Sequence, residues 1–99
     1  MTGTVAVLFT AEWCPFCQRF KALFDSALDQ NGLMKAIADM SDLENPLWEL
    51  FDVGVVPTVV VFNDGEPVLR KDGVLGRGLP AEVMIEVVRK MEAARGARS

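Results

Sequence analysis

A chain of 99 residues, 51% apolar and 24% charged, can fill one core and has no room for a second, so a single domain over residues 1–99 is expected. The net charge of −4 is spread without an acidic or basic block, which argues against nucleic acid or an anionic membrane as partner. Histidine is absent, which removes histidine-based catalysis and most zinc sites.

Met1 is followed by polar Thr2-Gly3-Thr4, not by a basic stretch and a long apolar run, so no signal peptide is expected. Val5 to Phe9 is apolar without alternation and reads as a strand buried on both faces. It is far too short to cross a bilayer, which takes about 20 residues. From Pro15 to Gln30 the period changes: Phe16, Phe20, Leu23, Phe24, Ala27 and Leu28 recur at helical spacing. Pro15 suits the first helical turn and Asn31-Gly32 stops the helix.

Leu33 to Met40 reads as a second strand, and Asp42 to Asn45 as a polar break. Pro46 opens a short helix ended by Gly54, with Trp48 and Phe51 expected in the core. Thr58 to Phe62 is the strongest strand, Asn63-Asp64-Gly65 a hairpin turn, and Pro67 to Lys71 a returning edge strand. Gly73, Gly76 and Gly78 mark a loop. Pro80 starts a last helix facing inward through Val83, Val87, Val88 and Met91, and the tail from Ala93 to Ser99 is expected to fray. The order is β-α-β-α-β-β-α: an α/β fold with a four-stranded mixed sheet flanked by three helices.

The chemistry lies in Cys14-Pro15-Phe16-Cys17, between the first strand and the first helix. A helix N-terminus carries unsatisfied N–H groups and about half a positive charge, so a thiol placed there ionises more easily. Cys14, at the very start of the helix where it can be exposed, is the expected attacking sulfur. Cys17, one turn further, is placed to resolve a mixed disulfide formed on Cys14. Taken alone, the pair also fits half a metal site or two small buried hydrophobes.

The surrounding residues add to this. Phe9-Thr10-Ala11-Glu12-Trp13-Cys14-Pro15-Phe16-Cys17 resembles the active-site segment of thioredoxins, and Phe51 to Thr58, with Val55-Val56-Pro57, is similar to their second motif. The hairpin at Phe62 to Glu66 matches as well, and the resemblance runs over about residues 4 to 92. It implies a minimal thioredoxin fold with Pro57 cis and packed on the cysteines, and with Val56 offering backbone hydrogen bonds to substrate. It also implies that Gly73 lines the substrate groove, while Trp13, Pro15 and Phe16 support the active site.

The chain departs from the family in two ways. Only thirteen residues precede Cys14, where thioredoxins carry a further strand and helix, and Pro15-Phe16 is closer to the glutaredoxin dipeptide. The basic residue that glutaredoxins place before the first cysteine is replaced by Glu12 and Trp13, and their acidic pair finds no match in Leu75 to Glu82. Protein disulfides are therefore expected as substrates ahead of glutathione mixed disulfides. Thioredoxins also bury an aspartate where Leu8 stands, so proton transfer is expected to fall to Asp39 or Glu12.

The resemblance thus implies a cytoplasmic, monomeric disulfide oxidoreductase. It would need no cofactor beyond its own redox-active cysteine pair and no metal, and it would be reset by a flavin-dependent disulfide reductase. The alternatives are a glutathione-linked activity and a dimeric metal or iron–sulfur module.

Overall fold

The computed structural model describes residues 3–96. Seven elements follow in the order expected: β1 (Thr4–Thr10), α1 (Pro15–Gln30), β2 (Lys35–Asp39), α2 (Leu47–Leu50), β3 (Thr58–Asn63), β4 (Glu66–Asp72) and α3 (Val83–Gly96). The strands form one sheet in the order β2-β1-β3-β4. β1 runs parallel to β2 and antiparallel to β3, and β3 and β4 form a hairpin. Asp64 and Gly65 both take positive φ, 54° and 85°, as a tight two-residue hairpin turn requires.

Alternation along β1 and β3 divides the interior in two. Ala6, Leu8, Val59 and Val61 meet Phe20, Phe24 and Leu28 of α1 and Val83, Val87 and Met91 of α3. Val5, Phe9, Val60 and Phe62 point to the opposite face, which carries α2 and both cysteines. Phe20, Phe24 and Leu28 stand four residues apart, so they form one stripe along α1. Each such side chain contributes about 1.5–3 kcal/mol by burial.

α1 starts at Pro15 and stops as the sequence implies. The N–H of Leu33 bonds to the carbonyl of Leu28 at 2.9 Å, and Gly32 takes the left-handed φ of 61° that closes the helix. Three expectations are corrected. The last helix begins at Val83, because Pro80-Ala81-Glu82 forms a separate turn in which the Val83 N–H bonds to the Pro80 carbonyl. That helix runs to Gly96 with Ala94 buried, so residues 93–96 are helical where fraying was expected; residues 97–99 lie outside the described residues. Trp48 is only half-buried and Phe51 is 37% exposed, because α2 is one turn long and has no fully buried residue.

Candidate active site

β1 ends at Thr10, and four residues carry the chain across to α1. Cys14 is the helix N-cap: its backbone is extended, and its Sγ accepts the N–H of Cys17 at 3.2 Å. The Cys14 carbonyl already accepts the N–H groups of Cys17 and Gln18. Pro15 follows at the first helical position, where its missing donor costs nothing. A negative charge on Cys14 would therefore face an N–H donor and the positive end of a sixteen-residue helix.

Both cysteines are free thiols and both are buried, Cys14 with 5% and Cys17 with 0% of its surface exposed. Cys14 is thus less exposed than its place at the helix start allows, yet it lines the groove above. Its thiol also donates to the Val56 carbonyl oxygen at 3.7 Å, a bond that only the protonated form makes. Burial pushes the Cys17 thiol up to about 11, with help from the neighbouring Cys14 thiol. The Ala11 backbone and the Thr10 side chain pull the other way. The two sulfurs thus have different surroundings. One faces a backbone donor and the groove, while the other is held protonated beneath it.

The second wall comes from the segment before β3. The Val56–Pro57 peptide bond is cis, as the resemblance implied, and Pro57 is fully buried. Thr58 Oγ1 donates to the Val55 carbonyl at 2.8 Å and fixes the turn. Further back, Arg70 of β4 donates from Nη2 to the Asp52 carbonyl at 2.7 Å and from Nη1 to that of Phe51, tying the start of this segment to the sheet. Gly73 lies against the Pro57 backbone. A Cβ there would overlap the Pro57 carbonyl oxygen, so the need for glycine comes from this backbone approach. Gly78 is constrained in the same way by Phe16, whose Cβ would stand 2.7 Å away.

Between these walls lies a groove of about 450 Å³. Trp13, Cys14, Pro15, Phe16, Trp48, Val55 and Val56 line it, with Leu43 and the exposed loop Val74-Leu75-Gly76 at its rim. None of its lining residues is charged. Leu75 is 89% exposed there, and Trp13 is exposed as well.

Sequence reasoning missed Ser41. Its hydroxyl accepts the Glu12 N–H at 2.8 Å and its carbonyl accepts the Trp13 indole N–H at 2.9 Å. The Ser41 N–H and hydroxyl in turn donate to Asp39 Oδ1. These two bonds hold the Asp39 carboxyl below the usual carboxylate range. Asp39 therefore braces the loop before Cys14 through Ser41. Glu12, the other expected proton carrier, is an exposed loop residue whose backbone N–H bonds the same serine. Among the described residues, no three His, Cys, Asp or Glu side chains gather as metal ligands do, and no helix is long and apolar enough to cross a membrane.

Comparison with known proteins agrees with this geometry. The family model described as Thioredoxin matches residues 1–89. A thioredoxin of Staphylococcus saprophyticus is 33% identical over 90 residues, covering 90% of this chain and 83% of its own length. Among solved structures, Fasciola hepatica thioredoxin superposes with a TM-score of 0.75 at 21% identity, covering 90% of this chain and 81% of its own. The oxidised thioredoxin of Plasmodium falciparum gives 0.72 at 21% identity with the same coverage. The two structures agree in fold; the family match and the Staphylococcus relative place the sequence itself. The chain belongs to the thioredoxin family.

Proposed function

We propose that the chain is a thiol–disulfide oxidoreductase that reduces disulfides in other proteins. The observation that carries this reading is the placement of Cys14 Sγ at the N-cap of α1, beneath an uncharged groove and one turn from a buried second thiol. The Cys14 thiolate attacks one sulfur of a target disulfide; a Cys14–target bond forms and the other target sulfur leaves as a thiolate. Cys17 then gives up its proton and attacks Cys14 Sγ. The Cys14–Cys17 bond forms, the second target sulfur departs, and it takes up a proton. Two electrons pass from the cysteine pair to the target.

The apolar groove suits a segment of unfolded or extended protein better than charged glutathione, and Val56 is the backbone site we assign to that segment. Trp13, Pro15 and Phe16 shape its floor. Both sulfurs come from one chain, so a monomer is sufficient and no cofactor enters the cycle. We assign the protein to a reducing, cytoplasm-like compartment, with a disulfide reductase of the flavin-dependent kind restoring the dithiol. Residues 1–99 then act as one domain, in line with the family match over residues 1–89.

The test is reduction of a disulfide-linked protein such as insulin, with a small dithiol as electron source. Wild type should accelerate it, and Cys14→Ser should lose the acceleration more than about a hundredfold. A reduction potential near about −270 mV would fit a reductant. A value near about −120 mV would contradict the proposed direction.

A further inference from the structure

A second cavity adjoins the groove, and it holds positive charge without counter-charge. It measures about 280 Å³ and shares Phe16 with the groove. Arg19 and Leu23 of α1 line one side, and Arg77, Leu79 and Pro80 line the other. No carboxylate is among its walls. Among the described residues neither guanidinium makes an ion pair or a hydrogen bond, whereas Lys21, Lys35, Arg70 and Lys71 each pair with a carboxylate. The cavities that hold Arg89 and Arg95 each hold Glu92 as well. Both arginines of the second cavity stand on fixed backbone. Phe16, Arg19 and Leu23 sit at i, i+3 and i+7 of α1, so they share one flank of the helix. Arg77 lies in a tight turn: its N–H and that of Gly78 bond the Val74 carbonyl, both at 2.8 Å, and the Val74 N–H bonds the Gly78 carbonyl at 3.0 Å. The close approach of Gly78 to Phe16 seats that turn against α1.

Taking the dithiol cycle above as given, we propose that Arg19 and Arg77 bind a carboxylate of the target protein, an Asp or Glu side chain in the segment that carries the disulfide. Arginine clusters recognise acidic segments because the planar guanidinium can bond both carboxylate oxygens at once. From Cys14 to Arg19 the helix rises about 7.5 Å. About two or three residues of extended chain cover that distance. Apolar residues beside the target cysteine then occupy the uncharged groove, and the acid sits beyond Phe16. The net charge of −4 would by itself repel an acidic segment, so a preference for one has to come from this local pair. The arginines make and break no covalent bond; they select which disulfide reaches Cys14.

Peptides that carry one cysteine as its 2-pyridyl mixed disulfide test this. Cys14 attacks the peptide sulfur, and the uncharged pyridine thiol that leaves reports the rate by its absorbance. Two peptides place Leu and Val beside the cysteine and differ only in Glu or Gln at the second and third positions on either side. Wild type should react with the Glu peptide about threefold to tenfold faster than with the Gln peptide at low ionic strength, and about 0.5 M salt should remove most of that lead. The double variant Arg19→Gln, Arg77→Gln should react with both peptides within about twofold of the wild-type rate for the Gln peptide. The double variant Arg89→Gln, Lys90→Gln loses the same charge on α3, away from this cavity, and should keep the lead. Equal wild-type rates for the two peptides overturn the subsite, as does a lead that survives without Arg19 and Arg77 or disappears without Arg89 and Lys90. Reduction of oxidised glutathione should differ by less than about twofold between wild type and the Arg19, Arg77 variant. A loss there as large as that for the Glu peptide overturns a protein segment as the occupant. A wild type no faster than Cys14→Ser with either peptide overturns the dithiol cycle itself, and the subsite with it.

Discussion

The two faces of the sheet are built from the same two strands and do different work. Behind β1 and β3, α1 and α3 close a core in which Phe20, Phe24, Leu28, Val87 and Met91 are almost wholly buried. In front, one turn of helix and several loops cover the other half, and the cover is incomplete. Phe51 packs at a tilt against Phe9, ring centres 5.4 Å apart, and edge-to-face against Phe62 at 6.0 Å, yet stays 37% exposed. The closed face stores stability. The open face leaves an apolar groove above a cysteine, a surface that a folded chain exposes only at some cost in stability. Disulfide exchange needs the second arrangement held in place by the first.

The sharpest way to break this comparison is to cut the closed face. Phe24→Ala should cost about 3–5 kcal/mol in urea unfolding, because two packed layers cannot collapse into the space. The matching cut on the open face, Phe51→Ala, should cost only about 1 kcal/mol, since solvent already reaches the ring. Equal losses would mean that the faces do not differ as described.

The next largest effect is chemical. The Cys17 thiol is pushed from an ordinary 9.0 to about 11 in the folded, reduced protein, mainly by burial. The folded state then holds this proton more tightly than the unfolded chain does. The resulting stability is fully present below pH 9 and is lost as pH rises through 11. Relative to Cys17→Ala, the reduced wild type should lose about 2–3 kcal/mol between those limits in denaturant titrations. A pH-independent difference would show that Cys17 is not held protonated by the fold.

Smaller effects test the walls of the groove. Gly73→Ala should cost about 1–3 kcal/mol and lower activity, because the new methyl meets the Pro57 backbone, not a side chain that can swing away. Ser41→Ala should cost about 1 kcal/mol by leaving the Glu12 N–H without its acceptor. Its main signature would be a rise in KM in the insulin assay as the loop carrying Trp13 loosens.

These sites also show where the sequence is readable. α1 matches its expected bounds because its signals are local: Pro15 at the start, Asn31-Gly32 at the end and an apolar stripe between. The cysteine pair and Val56-Pro57 are legible for the same reason, as short runs of special residues. Trp48 and Phe51 mislead because helical spacing tells which residues share a face, not whether anything covers that face. Ser41 and Arg70 leave no local mark. Ser41 matters through a loop 28 residues away in sequence, and Arg70 through carbonyls at least 18 residues away.

The central claim is that Cys14 attacks and Cys17 resolves, and trapping tests it most directly. Reduced Cys17→Ser protein, mixed with a disulfide-bonded protein substrate, should accumulate a mixed disulfide that peptide mass mapping places on Cys14. Cys14→Ser protein should accumulate none under the same conditions. An adduct on Cys17, or equal adducts in both variants, would contradict the account.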